Sequence, residues 1–466
     1  MIRRIDKTIA SCLGAGRAAY SSLGVLISIS VLAVACGETV EAPTPTSSAV
    51  GSRLQRVVLI SLDTLRFDTL EGSDDSPTAM PRLQGWAAKG VSFERHYAAS
   101  STTQPTHASL LTGLHPWQHG VSRNGQVLNE RHVTLAEQFA EHGFRTGGVV
   151  ASFPLHRSFG YQQGFEAFDD AFEIPVTMEW SGTAVPDGAF YSLGSSITSK
   201  AIAMVDQFSG DNQFLWFHYF DAHAPYGDAV DPRTMVSLSK LYEQIRANSS
   251  VTMKSLEEAR SKYRADAGRL DRNLDDLLKH LYSDAERVDT HVLVVTDHGE
   301  SFGEGGSLGH GKRLGDELIR VPSLLISPQV KAARVRELAA SVDAPATLLG
   351  LAGIDGFVGV GRNLSAALPP ERSVFGMRRT FAEPFRELRL DGQEHLLPDL
   401  MFFAADRHGV TTGNAREIVE RPANAPTGEK ARKLFAVFEE ELAASGDASE
   451  LDEESRAALE ALGYVQ

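Results

Sequence analysis

Val57-Val58-Leu59-Ile60-Ser61-Leu62 is a continuous run of mostly β-branched and apolar residues, and Asp63 follows it directly. Such a run predicts a strand that is buried on both faces of a sheet. Further along the chain, His291-Val292-Leu293-Val294-Val295-Thr296 repeats the pattern and is followed by Asp297. Two buried strands are therefore predicted to carry an acidic residue at the same, carboxyl end.

Predicted helices and strands alternate around these two runs. The spacing of apolar residues predicts helices over 134–142, 197–208 and 256–281, and strands over 145–151 and 214–220. This alternation is typical of an α/β fold in which helices sandwich a large, mostly parallel sheet. Ligands of such sheets bind beyond the carboxyl ends of the strands, where Asp63, Asp221 and Asp297 are all predicted to lie.

The pattern changes near residue 371. Residues 386–389 and 394–397 flank the turn Asp391-Gly392 and predict a β-hairpin, and an amphipathic helix is predicted over 429–444. We therefore expect a catalytic domain over 55–370 and a small C-terminal α+β subdomain over 371–466.

The N-terminal segment has the composition of an export signal. Basic residues precede an apolar run over 23–35, and small residues lead into Cys36. This order predicts a lipoprotein-type signal peptide over 1–36, with Cys36 as the lipidated first residue of the exported protein. Cleavage near Ala35 without a lipid and retention of an uncleaved anchor are the alternatives. The expected location is the bacterial cell envelope, lipid-anchored to a membrane on the periplasmic or outer-membrane side.

Composition narrows the classes of function. Cys12 and Cys36 are the only cysteines, so the exported domain is predicted to contain neither a disulfide nor a reactive thiol. Residues 37–54 predict a flexible linker, because Thr, Pro, Ser and Ala are frequent there. The formal net charge of −15 argues against nucleic-acid binding, which requires a positive face. A small anionic substrate stays compatible with this charge, since a bound metal can dominate the local field.

Four polar features are candidates for chemistry. Residues 100–113 are rich in hydroxyl side chains, most of which precede a short helix predicted over 108–111. A hydroxyl at a helix N-terminus lies where negative charge is favoured. Asp297 and His298 are adjacent and could both reach one divalent metal. His223 follows a predicted strand, and a glycine-flanked loop carries His310 and Lys312. Taken singly, each feature could also be structural, as a helix cap, an exposed turn or a solvated loop.

Seven segments in one order carry a resemblance to a known family: 60–66, 103–113, 119–121, 220–226, 296–300, 317–322 and 459–465. Together they resemble the sulfatase branch of the alkaline phosphatase superfamily, over nearly the whole chain from residue 56. The resemblance implies that Asp63, Asp297 and His298 are metal ligands. It also implies that Thr103 is the nucleophile and touches the same metal.

The resemblance also implies roles around the substrate. Asn124, His223 and Lys312 match positions that contact the anionic group or the leaving oxygen. His310 falls where phosphoester-processing relatives often place a histidine, so His223 and His310 are assigned to catalysis. His107 stands where sulfatases carry an arginine and is assigned, with Asn124 and Lys312, to substrate binding.

The nucleophile position departs from the sulfatase pattern. Sulfatases carry Cys or Ser there, and this residue is oxidised to formylglycine. Thr103 has a methyl group on Cβ, so the same oxidation cannot give the aldehyde. Threonine at this position is similar to phosphodiesterase, phosphatase and phospho-group transferase relatives.

The predicted function is therefore metal-dependent hydrolysis of a phosphate-type ester, either a monoester, a diester or a phosphonate. Thr103 would form a covalent intermediate that water then cleaves. The alternatives are a sulfuric ester hydrolase that works without formylglycine, an envelope phospho-group transferase, and a non-catalytic binding lipoprotein. One divalent metal is expected, and the ligand types suit Ca²⁺, Mn²⁺ or Zn²⁺. A second metal near Asp221, His223 and His310 is left open.

Overall fold

The computed structural model describes residues 53–72, 76–175, 189–228, 235–247, 252–370 and 372–378, together with five strands within 386–421. The helices within these residues are α1 (Phe67–Glu71), α2 (Pro81–Ala87), α3 (Thr103–Thr112), α4 (Pro116–His119), α5 (Leu135–Glu141), α6 (Gly194–Gln207), α7 (Leu238–Ala247), α8 (Thr252–Leu281), α9 (Asp316–Ile319) and α10 (Asp343–Ala352).

The strands of the same residues are, in chain order, β1 (Leu54–Leu62), β2 (Val91–Phe93), β3 (His96–Tyr97), β4 (Arg145–Val149), β5 (Ala167–Asp169), β6 (Ile174–Pro175), β7 (Ala189–Tyr191), β8 (Gln213–Tyr219), β9 (Val288–Thr296), β10 (Ser301–Phe302), β11 (Leu308–Gly309), β12 (Ser323–Ile326), β13 (Ala333–Val335), β14 (Ala339–Ala340), β15 (Ser373–Met377), β16 (Arg386–Leu388), β17 (Glu394–Leu396), β18 (Pro398–Ala404), β19 (His408–Thr412) and β20 (Glu417–Arg421).

A large mixed sheet forms the centre of the molecule. Its strand order is β13-β2-β12-β9-β1-β8-β4-β5, and only the two pairings made by β12 are antiparallel. The predicted α/β class with a mostly parallel sheet is therefore confirmed. β1 lies between β8 and β9, in the interior of the sheet, which explains why its sequence is apolar on both faces.

Helices cover both faces of this sheet. Val58, Ile60 and Leu62 of β1 pack in one hydrophobic core with residues of α6 and α8. Val57 and Leu59 point the other way, into a second core with residues of α3, α5 and α10. Because successive side chains of β1 point to opposite faces of the sheet, this one strand packs against a helical layer on each face.

The predicted elements occur with shifted ends. The helices predicted over 134–142, 197–208 and 256–281 correspond to α5, α6 and α8, and the strands over 145–151 and 214–220 to β4 and β8. The short helix predicted over 108–111 is longer, because α3 begins at Thr103. Pro105 lies in the first turn of α3, where backbone N–H groups have no partner within the helix, so proline is tolerated there.

The strands described beyond residue 372 form two antiparallel sheets that are not part of the large sheet. β15, β18, β19 and β20 make a four-stranded sheet, and β16 pairs with β17 as the predicted hairpin. The helix predicted over 429–444 and the signal peptide over 1–36 lie outside the described residues, as does most of the linker predicted over 37–54, since β1 begins at Leu54. Among the described helices, none has the length and apolarity needed to cross a membrane.

Candidate metal and nucleophile site

Two acidic residues meet at the carboxyl end of the central strands. In the register of the sheet, Leu62 pairs with both Tyr219 of β8 and Thr296 of β9. The residues that follow are held at the same level, because the Asp63 amide donates to the Tyr219 carbonyl (2.9 Å) and the Asp297 amide donates to the Leu62 carbonyl (3.0 Å). Both carboxylates are fully buried.

His298 and Thr103 complete this cluster. The Nε2 atom of His298 lies 3.5 Å from Oδ2 of Asp297, 3.9 Å from Oδ1 of Asp63 and 3.4 Å from Oγ1 of Thr103. The other ring nitrogen, Nδ1, lies 3.0 Å from the Gly299 carbonyl, which can only accept a hydrogen bond. Nδ1 therefore carries the hydrogen, and the lone pair of Nε2 points into the cluster, as a metal ligand requires.

The backbone beside Asp63 is strained. Thr64 has φ of 55°, a left-handed conformation that is rare for a β-branched residue. In this conformation the Thr64 amide lies 3.2 Å from Oδ1 of Asp297, while the His298 amide donates to the same oxygen at 2.6 Å. These two bonds fix Oδ1, so Oδ2 is directed toward His298. Strain of this kind costs about 1–3 kcal/mol and is typical of functional sites.

The donor set fits a divalent cation. Both carboxylate oxygens of Asp63, Oδ2 of Asp297 and the hydroxyl of Thr64 are buried without a hydrogen-bond partner. Burial raises the pKa of Asp63 to about 8 and also raises the pKa of Asp297, because a buried carboxylate without compensation is costly. Within the described residues, Asp63, Asp297 and His298 are the one group of acidic or histidine side chains close enough to share a metal ion.

Thr103 is the first residue of α3, and its side chain is fully buried at the cluster. The following amide, that of Gln104, donates to Oδ1 of Asn124 at 2.8 Å. This contact places Asn124 next to Thr103, while its Nδ2 group is buried without a hydrogen-bond partner. An N–H donor in this position can bind an oxygen of a tetrahedral anion, which agrees with the predicted substrate contact of Asn124.

His310 lies next to the metal ligands. Its ring centroid is 4.4 Å from that of His298, and its Nδ1 atom is 3.1 Å from Oε1 of the buried Glu300. Glu300 is held in turn by the Tyr226 hydroxyl, which donates to Oε2 at 2.8 Å. Burial lowers the pKa of His310, but the charges of Glu300, Asp63 and Asp297 outweigh burial and raise it above its usual value. His310 is thus both oriented and suited to carry a proton.

His223 lies on the other side of His310, with ring centroids 5.0 Å apart. It stacks on Phe220 at 4.2 Å. Burial and the neighbouring His310 lower the pKa of His223 well below its usual value, so this ring is neutral. A cavity of about 260 Å³ extends beside His223 and is lined by Asp221, Asp266, Arg269 and Asn273 among others.

Two predicted substrate contacts are placed differently. Lys312 is exposed, and its ammonium group lies 6.0 Å from the ring centroid of Tyr242 in α7 rather than among the buried residues. A long, strongly hydrated side chain in a glycine-rich loop favours this solvated position. His107 is fully buried beneath Thr103, with its ring nitrogens 2.9 Å from the Thr103 carbonyl and 2.9 Å from Oγ of Ser61. This corrects its predicted substrate contact, because both nitrogens already have partners.

The comparison with protein families agrees with this geometry. The Sulfatase family model matches residues 55–354, which is more than half of the chain. The chain belongs to the sulfatase family. This match confirms the resemblance to the sulfatase branch that is seen in the sequence.

Individual relatives of this sulfatase-family enzyme cover different parts of it. Arylsulfatase G of Homo sapiens is 32% identical over 136 residues, which are 28% of this chain and 25% of that protein. N-acetylgalactosamine-6-O-sulfatase of Bacteroides thetaiotaomicron is 28% identical over 145 residues, or 28% of each protein. The chain thus spans about a quarter of the length of these curated relatives.

A solved structure shows the same fold over most of the chain. Phosphonate monoester hydrolase from Silicibacter pomeroyi aligns with a TM-score of 0.58 and 18% identity, over 85% of this chain and 96% of that one. The superfamily fold therefore accommodates enzymes named for sulfate esters and enzymes named for phosphonate esters.

Some residues of the sulfatase-family site were not assigned from the sequence. Glu300 is the last residue of the segment 296–300, and its place close to Asp297 and His298 in the sequence was the available signal. Tyr226 and His218 are brought to the site only by tertiary contacts. The open question of a second metal gains no support within the described residues, because Asp221 belongs to no group of three ligand side chains there. Oδ1 of Asp221 accepts from the Gly194 amide and from Asn273, both at 3.3 Å, while its Oδ2 is buried without a partner.

The contribution of Asp63 to the stability of the metal-free protein should fall as pH rises between about 4 and 8. In the unfolded chain Asp63 titrates near 3.8, and in the folded, metal-free protein its pKa is raised to about 8. Between these values Asp63 holds its proton in the folded state and not in the unfolded state, so its contribution to the free energy of unfolding falls with rising pH and is measured as the difference between wild type and Asp63→Asn. Urea denaturation of chelator-treated protein across this range measures the slope.

Asp63→Asn is the control for this slope, since it removes the titrating group and should flatten the pH dependence. A divalent cation should restore the stability of the wild type at pH 8, because it binds the ionised folded state. Identical pH profiles of wild type and variant, or no response to the cation, would contradict the proposed site.

Proposed function

We propose that this enzyme hydrolyses phosphate-type esters (monoesters, diesters or phosphonates) with Thr103 as a covalent nucleophile. The observation that carries the proposal is the position of Thr103: its Oγ1 lies at the cluster of presumptive ligands, and its side chain is a threonine. The extra methyl group closes the formylglycine route, so the hydroxyl itself must attack. The Ca²⁺, Mn²⁺ or Zn²⁺ ion expected here would be held by Asp63, Asp297 and His298 and would lower the pKa of a neighbouring hydroxyl.

Other residues of the chain assist the formation of the covalent intermediate. Thr103 reacts as the alkoxide, after its hydroxyl proton has passed to solvent: Oγ1 forms a bond to phosphorus, and the bond from phosphorus to the leaving oxygen breaks in line with it. Nδ2 of Asn124 donates to a nonbridging oxygen, where negative charge is concentrated. His310, oriented by Glu300, gives its proton to the leaving oxygen, so that a neutral alcohol departs.

The second half of the reaction reverses these proton movements. Water attacks the phospho-threonine, His310 takes a proton from it, and the bond from phosphorus to Oγ1 breaks, which regenerates the Thr103 alkoxide and the protonated His310 of the first step. His223 lies between His310 and the cavity lined by Asp221, Arg269 and Asn273. The neutral ring of His223 can accept a hydrogen bond from the alcohol part of the ester, for which this cavity offers room.

A sulfate ester is the second candidate substrate. Its support is the identity of the curated relatives, which include arylsulfatase G and N-acetylgalactosamine-6-O-sulfatase. Sulfate and phosphate esters share tetrahedral geometry, so Thr103 could attack sulfur in the same arrangement. Direct comparison of an aryl phosphate monoester, a phosphate diester, a phosphonate monoester and an aryl sulfate distinguishes the two. The proposal requires a higher kcat/KM for a phosphorus ester than for the sulfate.

Thr103→Ala should retain the fold and the bound metal but lose turnover, because it removes only the attacking oxygen. Thr103→Ser should keep measurable activity, since it retains the hydroxyl. Thr102→Ala is the matched control, as it removes the neighbouring hydroxyl, and it should retain most of the turnover. Steady-state assays together with metal analysis test this set. Full activity of Thr103→Ala would exclude the covalent mechanism.

The His310→Gln substitution should slow the hydrolysis of esters with poor leaving groups more than that of esters with good leaving groups. An alkyl phosphate needs a proton on its leaving oxygen, so its kcat should fall by about 10²–10⁴-fold, the usual contribution of a general acid. A nitrophenyl ester, whose leaving group is stable as an anion, should lose much less. His280→Gln on the outer end of α8 is the control. Equal losses for both esters would show that His310 is not the acid.

We also propose that the enzyme is exported and lipid-anchored through Cys36 in a bacterial envelope, with its ester site on the periplasmic or outer-membrane side. The support is the basic and apolar segment before Cys36 and the absence of other cysteines after it. Cys36→Ala should shift the protein from the membrane fraction to the soluble fraction when cells are fractionated, because the lipid supplies the attachment. An unchanged membrane fraction would exclude the lipid anchor.

A further inference from the structure

A chain of buried hydrogen bonds lies beneath the nucleophile. It connects Trp216 of β8, Ser61 of β1 and His107 of α3, and all three side chains are fully buried. Nε1 of Trp216 lies 2.9 Å from Oγ of Ser61, and the same oxygen lies 2.9 Å from Nε2 of His107. Nδ1 of His107 lies 2.9 Å from the carbonyl oxygen of Thr103. The chain thus ends on the backbone of the nucleophile.

The direction of every bond in this chain is determined by its two ends. The indole of Trp216 can only donate, so Ser61 accepts from it. The carbonyl of Thr103 can only accept, so Nδ1 of His107 carries a hydrogen. Nε2 of the neutral ring is then an acceptor, and it takes the hydroxyl hydrogen of Ser61. Burial keeps the ring neutral, since it lowers the pKa of His107 well below its usual value.

A second buried histidine, His218, lies close to Asp63 and to this chain. The ring of His218 meets that of His107 edge-on, with centroids 5.0 Å apart. Its Nδ1 accepts from the Ala151 amide at 3.2 Å, so the hydrogen is on Nε2, which lies 3.5 Å from Oδ2 of Asp63. Burial lowers the pKa of His218 to about 3. The oriented imidazole rings of His107 and His218 are therefore both neutral, and they lie side by side beneath Thr103 and Asp63.

We propose that His107 is a positioning residue, which fixes the first turn of α3 to β1 and so holds Oγ1 of Thr103 at the metal ligands. This inference rests on the proposed function of Thr103 and extends it to the residue below. An imidazole carries no charge here, in contrast to the arginine that sulfatases place at this position. The negative charges of Asp63 and Asp297 would thus be compensated by the cation, whereas His107 orients Thr103.

A set of variants tests the proposal through the separation of kcat from KM. His107→Asn keeps an N–H donor near the position of Nδ1, whereas His107→Leu has a similar size and no donor. The expected order of kcat is wild type, then Asn, then Leu, with a fall of about 10–100-fold for Leu, as small misplacements of reacting groups produce. KM should change little, because no substrate contact is assigned to His107. Metal analysis of each variant excludes loss of the ion as the cause of a lower kcat, since Nδ1 of His107 lies 3.7 Å from Oδ2 of Asp297.

Ser61→Ala breaks the chain without any change in α3, and it should also lower kcat. Ser109→Ala is the matched control, because Ser109 is a fully buried serine of the same helix that contacts Nε2 of His119 at 3.0 Å. It should lower stability but not kcat. Full kcat in His107→Leu, or equal kcat in the Asn and Leu variants, would overturn the proposal.

The tautomer of His107 gives a readout that needs neither activity nor a stable variant. In ¹⁵N-histidine-labelled wild-type protein, long-range proton–nitrogen correlation should show hydrogen on Nδ1 of His107 and none on Nε2. Hydrogen on Nε2 would overturn the proposed chain. If Thr103→Ala proved active while the tautomer was as expected, the nucleophile assignment would fail and the hydrogen-bond chain would stand.

Discussion

Burial of two carboxylates at the ends of adjacent strands is the constraint on which this structure depends. Asp63 and Asp297 are fully buried, and three of their four oxygens have no hydrogen-bond partner. Ionised groups in this state are strongly unfavourable unless a cation compensates them. Because neither side chain has exposed surface, water does not relieve this cost, and a divalent ion bound at this point would compensate it. The lone pair of His298 is directed to the same place.

The reaction type follows from what the fold adds to this cation site. The first turn of α3 presents Thr103, and the amide side chain of Asn124 caps the neighbouring N–H group. A hydroxyl, a free amide donor and a histidine paired with Glu300 then surround one small region. These groups suit attack on a tetrahedral ester, with a donor for the nonbridging oxygen and an acid for the leaving oxygen. The methyl group of Thr103 distinguishes this chemistry from that of formylglycine sulfatases.

The position of residues along strands was predictable, but the direction of side chains was not. The apolar runs before Asp63 and Asp297 indicated buried strands, and strand ends share one edge of a sheet, so the cluster of Asp63, Asp297 and His298 could be predicted from the sequence. His107 and Lys312 occupy family positions, yet one is buried beneath the nucleophile and the other is exposed. The support of His310 depends on Glu300 and on Tyr226, which is 74 residues away from Glu300 in the chain. Such contacts follow from tertiary packing and leave no local pattern.

The most direct measurement is anomalous diffraction from crystals of the protein grown with Mn²⁺. The account predicts one strong peak within coordination distance of Asp63, Asp297 and His298, with Oγ1 of Thr103 facing it. A peak located elsewhere, or a Thr103 side chain turned away from the ion, would contradict the central claim that a cation at the strand ends activates this threonine.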